Sequence, residues 1–308
     1  MSMLDLPRLP PPVRPGDRVG VAALSGPVQP DRLERGLAAL AGLGFEPVPA
    51  DNLGDRYGLF AGSDEQRLTA FHRLAADPSI KAIVFARGGH GVLRLLPHID
   101  WALLGAHPRA YVGYSDLTPF LLEVVRRLGL VAFHGAMVAA DLARGQDADE
   151  EQTFLACLAG EPPARYDLPS WPRPGVAEGP LLGGCLSLLV ATLGTRFAPP
   201  LSGAILLWEE VEEPLYRLDR MLTHLHLSGR LPELAGMVVG HISWTRGEKN
   251  PGLAWQQLVE LALSSVPGPL AAGLSCGHRA PNLTLPLGVR VRMDPETRSL
   301  VLLQGLRR

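Results

Sequence analysis

Apolar residues in this chain follow two alternating patterns: short unbroken runs, and longer stretches in which they recur at every third or fourth position. The runs Arg18–Leu24, Lys81–Ala86 and Arg109–Tyr114 are bounded by glycine, serine or proline and predict buried strands. Between them, Leu33, Leu37 and Leu40 share one face of a helix predicted over Pro30–Leu43, followed by a short strand at Phe45–Val48. A second helix is predicted from Ser63, where Ser63-Asp64-Glu65-Gln66 has the spacing of a capping box. Leu117, Phe120, Leu121, Val124, Val125 and Leu128 carry helical periodicity into a further short strand at Leu130–Phe133. Strands alternating with helices imply a parallel sheet covered on both faces. The first 160 residues therefore read as an N-terminal α/β domain, flavodoxin-like in class.

The alternation breaks at Glu161–Pro180, where crowded prolines predict an interdomain linker over 161–180. Beyond it, residues 181–308 read as a C-terminal mixed α/β domain. Its predicted elements are a helix over Leu181–Leu193, a strand over Ala204–Val211 and a helix over Pro214–Leu227. A strand over Met237–Trp244 and a helix over Leu253–Leu263 follow. A closing hairpin is predicted from Val289–Met293 and Leu300–Leu303.

Composition narrows the possible functions. With 46% apolar and 19% charged residues the chain has ample material for a core, and its 308 positions suit two domains or one large α/β unit. Its net charge of −2 provides neither the basic stripe of a nucleic-acid binder nor a polybasic membrane patch. No apolar run has the length of a bilayer span, and the proline-rich start, Met1–Pro12, lacks the apolar stretch of a signal peptide. Cys157, Cys185 and Cys276 are odd in number and far apart, which suggests neither a disulfide framework nor a zinc knuckle. A cytoplasmic protein without metal or cofactor is the expectation.

Candidate chemistry gathers after the predicted strands. Gly113-Tyr114-Ser115-Asp116 lies at a sharp strand-to-helix turn, the setting of a nucleophile elbow, although the letters are not the common G-x-S-x-G. Helix capping by Ser115 or Asp116 is the alternative reading. Arg87-Gly88-Gly89-His90-Gly91 follows another strand; its glycines allow a phosphate cradle, part of an oxyanion hole, or only a tight turn. Glu209 and Glu210 end the strand from Ala204 and point to opposite faces, so one of them can enter a given cleft. His278 lies in the irregular loop Cys276–Asn282, free to reach across a cleft, and His134, just after a strand, competes with it as a base. His224 and His226 are spaced poorly for a shared metal, and His72, His98, His107 and His241 have no special context.

In chain order, Pro15-Gly16-Asp17-Arg18-Val19-Gly20, Phe60-Ala61-Gly62-Ser63-Asp64, Arg87-Gly88-Gly89 and Gly113-Tyr114-Ser115-Asp116 form one set of short motifs. His134-Gly135, Gly183-Gly184, Glu209-Glu210, Tyr216-Arg217-Leu218-Asp219-Arg220-Met221-Leu222, Gly277-His278 and Asn282-Leu283-Thr284-Leu285-Pro286 continue it. Over nearly its whole length the chain thereby resembles the LD-carboxypeptidases. This serine peptidase family includes muramoyltetrapeptide carboxypeptidases and microcin C self-immunity peptidases.

The resemblance implies a Ser–Glu–His triad that cleaves the amide between an L-centre and a terminal D-residue. It implies Ser115 as nucleophile, His278 as general base and Glu209 as the carboxylate, with Glu210 the fallback. It also implies an oxyanion hole from the amide of Asp116 and one from the Gly88-Gly89 turn, with Arg87 and His90 beside the substrate. The site is then expected in the interdomain cleft. The implied substrate is a small peptide, foremost the murein tetrapeptide that releases D-Ala in cell-wall recycling. A peptidyl- or aminoacyl-nucleotide amide and a noncatalytic peptide-binding role are the alternatives, and a homodimer is the implied assembly. Four positions depart from the family: His90 in place of tyrosine, Ala136 of proline, Cys185 of asparagine and Arg279 of glycine.

Overall fold

The computed structural model describes residues 7–243, 264 and 266–303. They divide into two compact units. Among the described residues, the first runs to Pro163 and takes in Pro281–Gly288; the second comprises those of Ala164–Ala280 and resumes at Val289, up to Leu303.

In the first unit, strands Arg18–Ala22, Glu46–Pro49, Ile80–Phe85, Ala110–Gly113 and Ala132–His134 pair in parallel. Their spatial order, second-first-third-fourth-fifth, is the flavodoxin-like order expected. Helices Pro30–Gly42 and Asp64–Ala76 fall where periodicity places them. The capping box is formed: Gln66 N donates to Ser63 Oγ at 3.2 Å, and Ser63 N to Gln66 Oε1 at 2.8 Å. An aromatic cluster ties the third strand to the helix after the fourth. Phe120 meets Phe85 edge-on at 5.3 Å and Tyr111 at 5.4 Å between ring centroids. That contact sets the elbow against the glycine loop that follows Phe85.

The sheet has one strand that no local pattern announces. Leu285–Leu287 returns from far along the chain and pairs antiparallel with Ala132–His134 at the edge. Residues 181–308 are therefore not one continuous second domain, as expected from the sequence. The returning segment is fixed by buried polar contacts: Asn282 N donates to Glu150 Oε1 at 2.7 Å, and Asn282 Nδ2 to Asp141 Oδ1 at 3.3 Å.

In the second unit, Ala177–Cys185, Ile205–Val211, Gly236–Ser243 and Leu270–Ala272 are parallel neighbours. Antiparallel strands extend the sheet on both sides, including the hairpin Arg290–Asp294 and Ser299–Leu302. Two expectations are corrected here. The segment 161–180 is not a linker, since Arg165–Asp167 and Ser170–Arg173 are the two edge strands of this sheet and Ala177–Cys185 lies within it. Pro172 sits on an edge strand, where an amide is dispensable, and Pro180 lies in an interior strand one residue before that strand's first partner in Ile205–Val211. Nor is Leu181–Leu193 one helix; a strand runs to Cys185 and the helix is Leu186–Thr192. Gly183 lies so close to Leu207 O that no Cβ fits, which favours backbone pairing over a helical turn. Trp244 and the helix expected at Leu253–Leu263 lie outside the described residues.

Candidate active site

Ser115 occupies the turn after strand Ala110–Gly113 with φ at 61°, left-handed backbone that a non-glycine residue adopts at a cost of about 1–2 kcal/mol. A short 3₁₀ turn, Ser115–Leu117, then opens into the helix from Thr118. The N-cap positions of these two segments are Tyr114 and Leu117, and neither provides a side-chain cap. Asp116 does different work. Its buried carboxylate Oδ2 accepts from Ser25 Oγ at 2.7 Å and from Val92 N at 2.9 Å. One carboxylate thus ties the elbow to the loops after the first and third strands. Those loops leave the sheet at its topological switch point, where ligands of such folds gather.

Gly88 packs directly on the serine. A Cβ added there would stand 2.7 Å from Ser115 Cβ, 2.8 Å from its Oγ and 3.5 Å from Asp116 N. Gly88 O in turn accepts from Gly26 N at 3.2 Å, and Gly89 is exposed with φ at 120°. Arg87 donates from Nη1 to Pro27 O at 3.0 Å, bracing the same loop. His90 is exposed and stacks on Phe60 with 5.8 Å between ring centroids. The 87–91 loop therefore holds a glycine backbone over Ser115 and the amide of Asp116, with an aromatic pair alongside.

In the second unit, Glu209 and Glu210 take opposite faces of their strand, as alternation requires. Glu209 is fully buried, and its Oε2 lies 2.7 Å from His278 Nδ1. Gly277, with φ at 110°, lies against that carboxylate so closely that a Cβ would collide with Oε2 and stand 2.9 Å from Cδ. Among the described residues Glu209 Oε1 is buried without a hydrogen-bond partner. Glu210 turns the other way: Oε2 accepts from Ser187 N at 2.7 Å and Oε1 from Val211 N at 3.0 Å. Burial raises its carboxyl above the usual range in spite of these amides. Cys185 is packed beside it, with Sγ 3.5 Å from Glu210 Oε1, and burial pushes the thiol well up.

The competing histidine is a core residue. His134 is fully buried in strand Ala132–His134, its ring 5.6 Å from that of Tyr114. His278 retains 17% side-chain exposure and has the carboxylate. Arg279 is exposed, and its carbonyl lies 3.0 Å from His241 Nδ1, a contact that gives His241 a context its sequence neighbours do not show. The signal for Asp116 as a brace was equally hidden, because its partners lie 91 and 24 positions away. Among the described residues no group of His, Cys, Asp and Glu could hold a metal ion. No described helix is long and apolar enough to cross a membrane.

A strained serine after a parallel strand, and a histidine beside a buried carboxylate, are kinds of group that hydrolytic enzymes use. Comparison with known proteins gives the same class. Residues 19–135 match the LD-carboxypeptidase N-terminal domain and residues 178–293 the LD-carboxypeptidase C-terminal domain. The chain belongs to the LD-carboxypeptidase family. It is 33% identical to the "probable murein peptide carboxypeptidase" of Bacillus subtilis (strain 168), over 94% of this chain and 93% of that protein. To the murein tetrapeptide carboxypeptidase of Pseudomonas aeruginosa it is 32% identical, over 88% and 91%. The microcin C7 self-immunity protein MccF of Escherichia coli is 25% identical over 97% of each chain. Among solved structures, muramoyltetrapeptide carboxypeptidase from Oxalobacter formigenes superposes with a TM-score of 0.81 at 30% identity, covering 92% of this chain and 97% of that one.

Proposed function

We propose that this protein is a serine LD-carboxypeptidase that removes the terminal D-Ala from murein tetrapeptide. The observation that carries the reading is the 2.7 Å contact between buried Glu209 Oε2 and His278 Nδ1. A carboxylate at Nδ1 holds the imidazole in the tautomer whose Nε2 accepts a proton. In this reading the first unit contributes Ser115 and the second contributes His278 with Glu209.

Ser115 Oγ attacks the carbonyl carbon before the D-residue while His278 Nε2 takes its proton. The resulting oxyanion is held by the amide of Asp116 and one from the Gly88-Gly89 turn, which the packing of Gly88 over Ser115 and Asp116 N supports. The C–N bond then breaks, His278 returns the proton to the leaving amine, and water hydrolyses the acyl-serine by the same path reversed. Arg87 and His90 border the incoming peptide.

Support for a murein peptide comes from the relatives named for that substrate, at 32–33% identity. A second reading, cleavage of a peptidyl- or aminoacyl-nucleotide amide, draws on the resemblance to MccF. A homodimer in the cytoplasm is the proposed setting, checked by light scattering and fractionation.

The deciding experiment incubates the protein with L-Ala-D-Glu-meso-diaminopimelate-D-Ala and, separately, with an aminoacyl-nucleotide analogue. Faster release of D-Ala carries the first reading and faster cleavage of the analogue the second. No turnover of either, with no labelling by a serine-directed phosphonate, leaves a peptide-binding role.

A further inference from the structure

The loop that carries His278 is held from one side by a second histidine. Strand Gly236–Ser243 pairs with strand Ile205–Val211 as Val239 with Trp208 and then Ile242 with Glu210, so the register shifts at Gly240 and His241, opposite Glu209. Irregularities of this kind re-aim backbone and side chains beside functional sites. Here the result is specific. His241 N donates to Cys276 O at 2.9 Å, and His241 Nδ1 lies 3.0 Å from Arg279 O. Gly240 makes the approach possible, since a Cβ there would stand 2.6 Å from Cys276 Sγ and 3.1 Å from Glu209 Cβ.

One residue thus grips the backbone on both sides of His278: two residues before it through an amide, and one residue after it through a ring. A carbonyl only accepts, so Nδ1 of His241 must carry the hydrogen. Burial lowers the tendency of this imidazole to take a second proton, and the contact with the Arg279 carbonyl opposes that shift. The Nδ1–H donor is present in either protonation state.

The grip matters because Gly277, at φ 110°, leaves the loop without a side chain to restrain it between Cys276 and His278. Glu209 Oε2 meets Nδ1 of the His278 ring, whereas His241 meets the backbone carbonyls of Cys276 and Arg279 on either side of it. We propose that His241 is a positioning residue for His278, its Nδ1–H holding the Arg279 carbonyl so that the imidazole stays aligned. The proposal rests on the reading of His278 as general base.

Asparagine and glutamine separate this role from general packing. The amide nitrogen of asparagine falls near the place of Nδ1, whereas that of glutamine lies one bond farther out. His241→Phe and His241→Gln are each expected to lower kcat on the tetrapeptide by between about tenfold and a hundredfold, with KM little changed, as a small misplacement of a catalytic group does. His241→Asn is expected to restore most of the rate. A readout independent of turnover is the low-field proton resonance of His278 Nδ1–H in protein labelled with 15N-histidine. The resonance should weaken or shift in the phenylalanine and glutamine variants and return with asparagine. Unchanged kcat and resonance in a folded His241→Phe variant overturn the proposal, as does an asparagine variant no better than glutamine. If wild type leaves the tetrapeptide intact, the substrate reading fails, and the resonance series alone decides on His241.

Discussion

Ser115 and His278 are both displayed on irregular backbone beyond the carboxyl ends of parallel strands, yet different forces hold them. The serine turn is shaped by the backbone itself: a positive φ at Ser115, a glycine packed on its Cβ, and one buried carboxylate bracing the loops around it. The histidine loop is shaped by side chains reaching in from neighbouring strands, Glu209 at the ring and His241 at a carbonyl. In the proposed roles, a nucleophile is presented at one angle, which rigid backbone supplies. A base must accept and return a proton, which requires a partner that stabilises its charged form.

The largest effect is expected from removing the hydroxyl. Ser115→Ala should lower kcat by roughly a millionfold, the scale seen when a triad nucleophile is lost. Ser115→Gly should be equally inactive, but it also relieves the left-handed backbone. It is therefore expected to melt above the alanine variant, since glycine adopts positive φ without the steric cost. Equal melting temperatures for the two variants would break the claim that strain is stored at the serine.

On the histidine side, the two adjacent carboxylates offer an internal control. Glu209→Gln should cost roughly 10³–10⁴-fold in kcat, as when a triad carboxylate becomes an amide and the wrong imidazole tautomer is favoured. Glu210→Gln should leave kcat within a few-fold and act on stability instead. An amide there can accept from one of the Ser187 and Val211 N–H groups but not from both. Steady-state kinetics with thermal melts distinguishes the two. The reverse pattern would move the carboxylate role to Glu210.

Much of this comparison is legible in the amino-acid sequence, and the limits have physical causes. The turn at Gly113–Asp116 is announced by a glycine-bounded apolar run next to helical periodicity, both local signals. The opposite facing of Glu209 and Glu210 follows from strand alternation alone. Asp116 could not be read as a brace, nor His241 as a clamp, because their partners are distant in sequence. The strands within 161–185 were hidden for another reason. Proline argues against the middle of a sheet and not against its edges, but edge position is a property of the whole topology, and so is the register that lets Pro180 stand in an interior strand just before its pairing with Ile205–Val211 begins. Leu285–Leu287 is too short to be told from a loop until its pairing with Ala132–His134 is known.

Glycine contacts test the comparison from both sides at an intermediate scale. Gly88→Ala would place a methyl 2.7 Å from Ser115 Cβ and so force the serine or the loop to shift. Gly277→Ala would press on the Glu209 carboxylate and also strain a φ of 110°. Each is expected to lower kcat by about a hundredfold, the cost of an ångström-scale misplacement. Only the second should disturb the pH dependence of kcat/KM, because it alone touches the group that tunes the base. A pH profile altered by the first variant and not by the second would invert the assignment of backbone and side-chain control.

The smallest effect concerns the segment into which the histidine loop runs. Asn282, four residues after His278, is buried against Asp141 and Glu150. Burial holds the Asp141 carboxyl above the usual range, although the Met137 amide and Asn282 side chain favour its charged form. An acid whose folded value is raised contributes stability that is fully present below its unfolded value. That contribution is lost as pH rises through the folded value. Asp141→Asn keeps a carbonyl for the Met137 amide and removes the titration. The advantage in Tm of wild type over this variant is therefore expected to be greatest in acid. It should shrink by a few degrees as pH rises above the ordinary carboxylate range, each kcal/mol being worth roughly 2–4 °C in domains of this size. Melting curves across that window decide the matter. An advantage that instead grows with pH would mean that Asp141 is stabilised as a carboxylate, and that the segment after the histidine loop is held by charge.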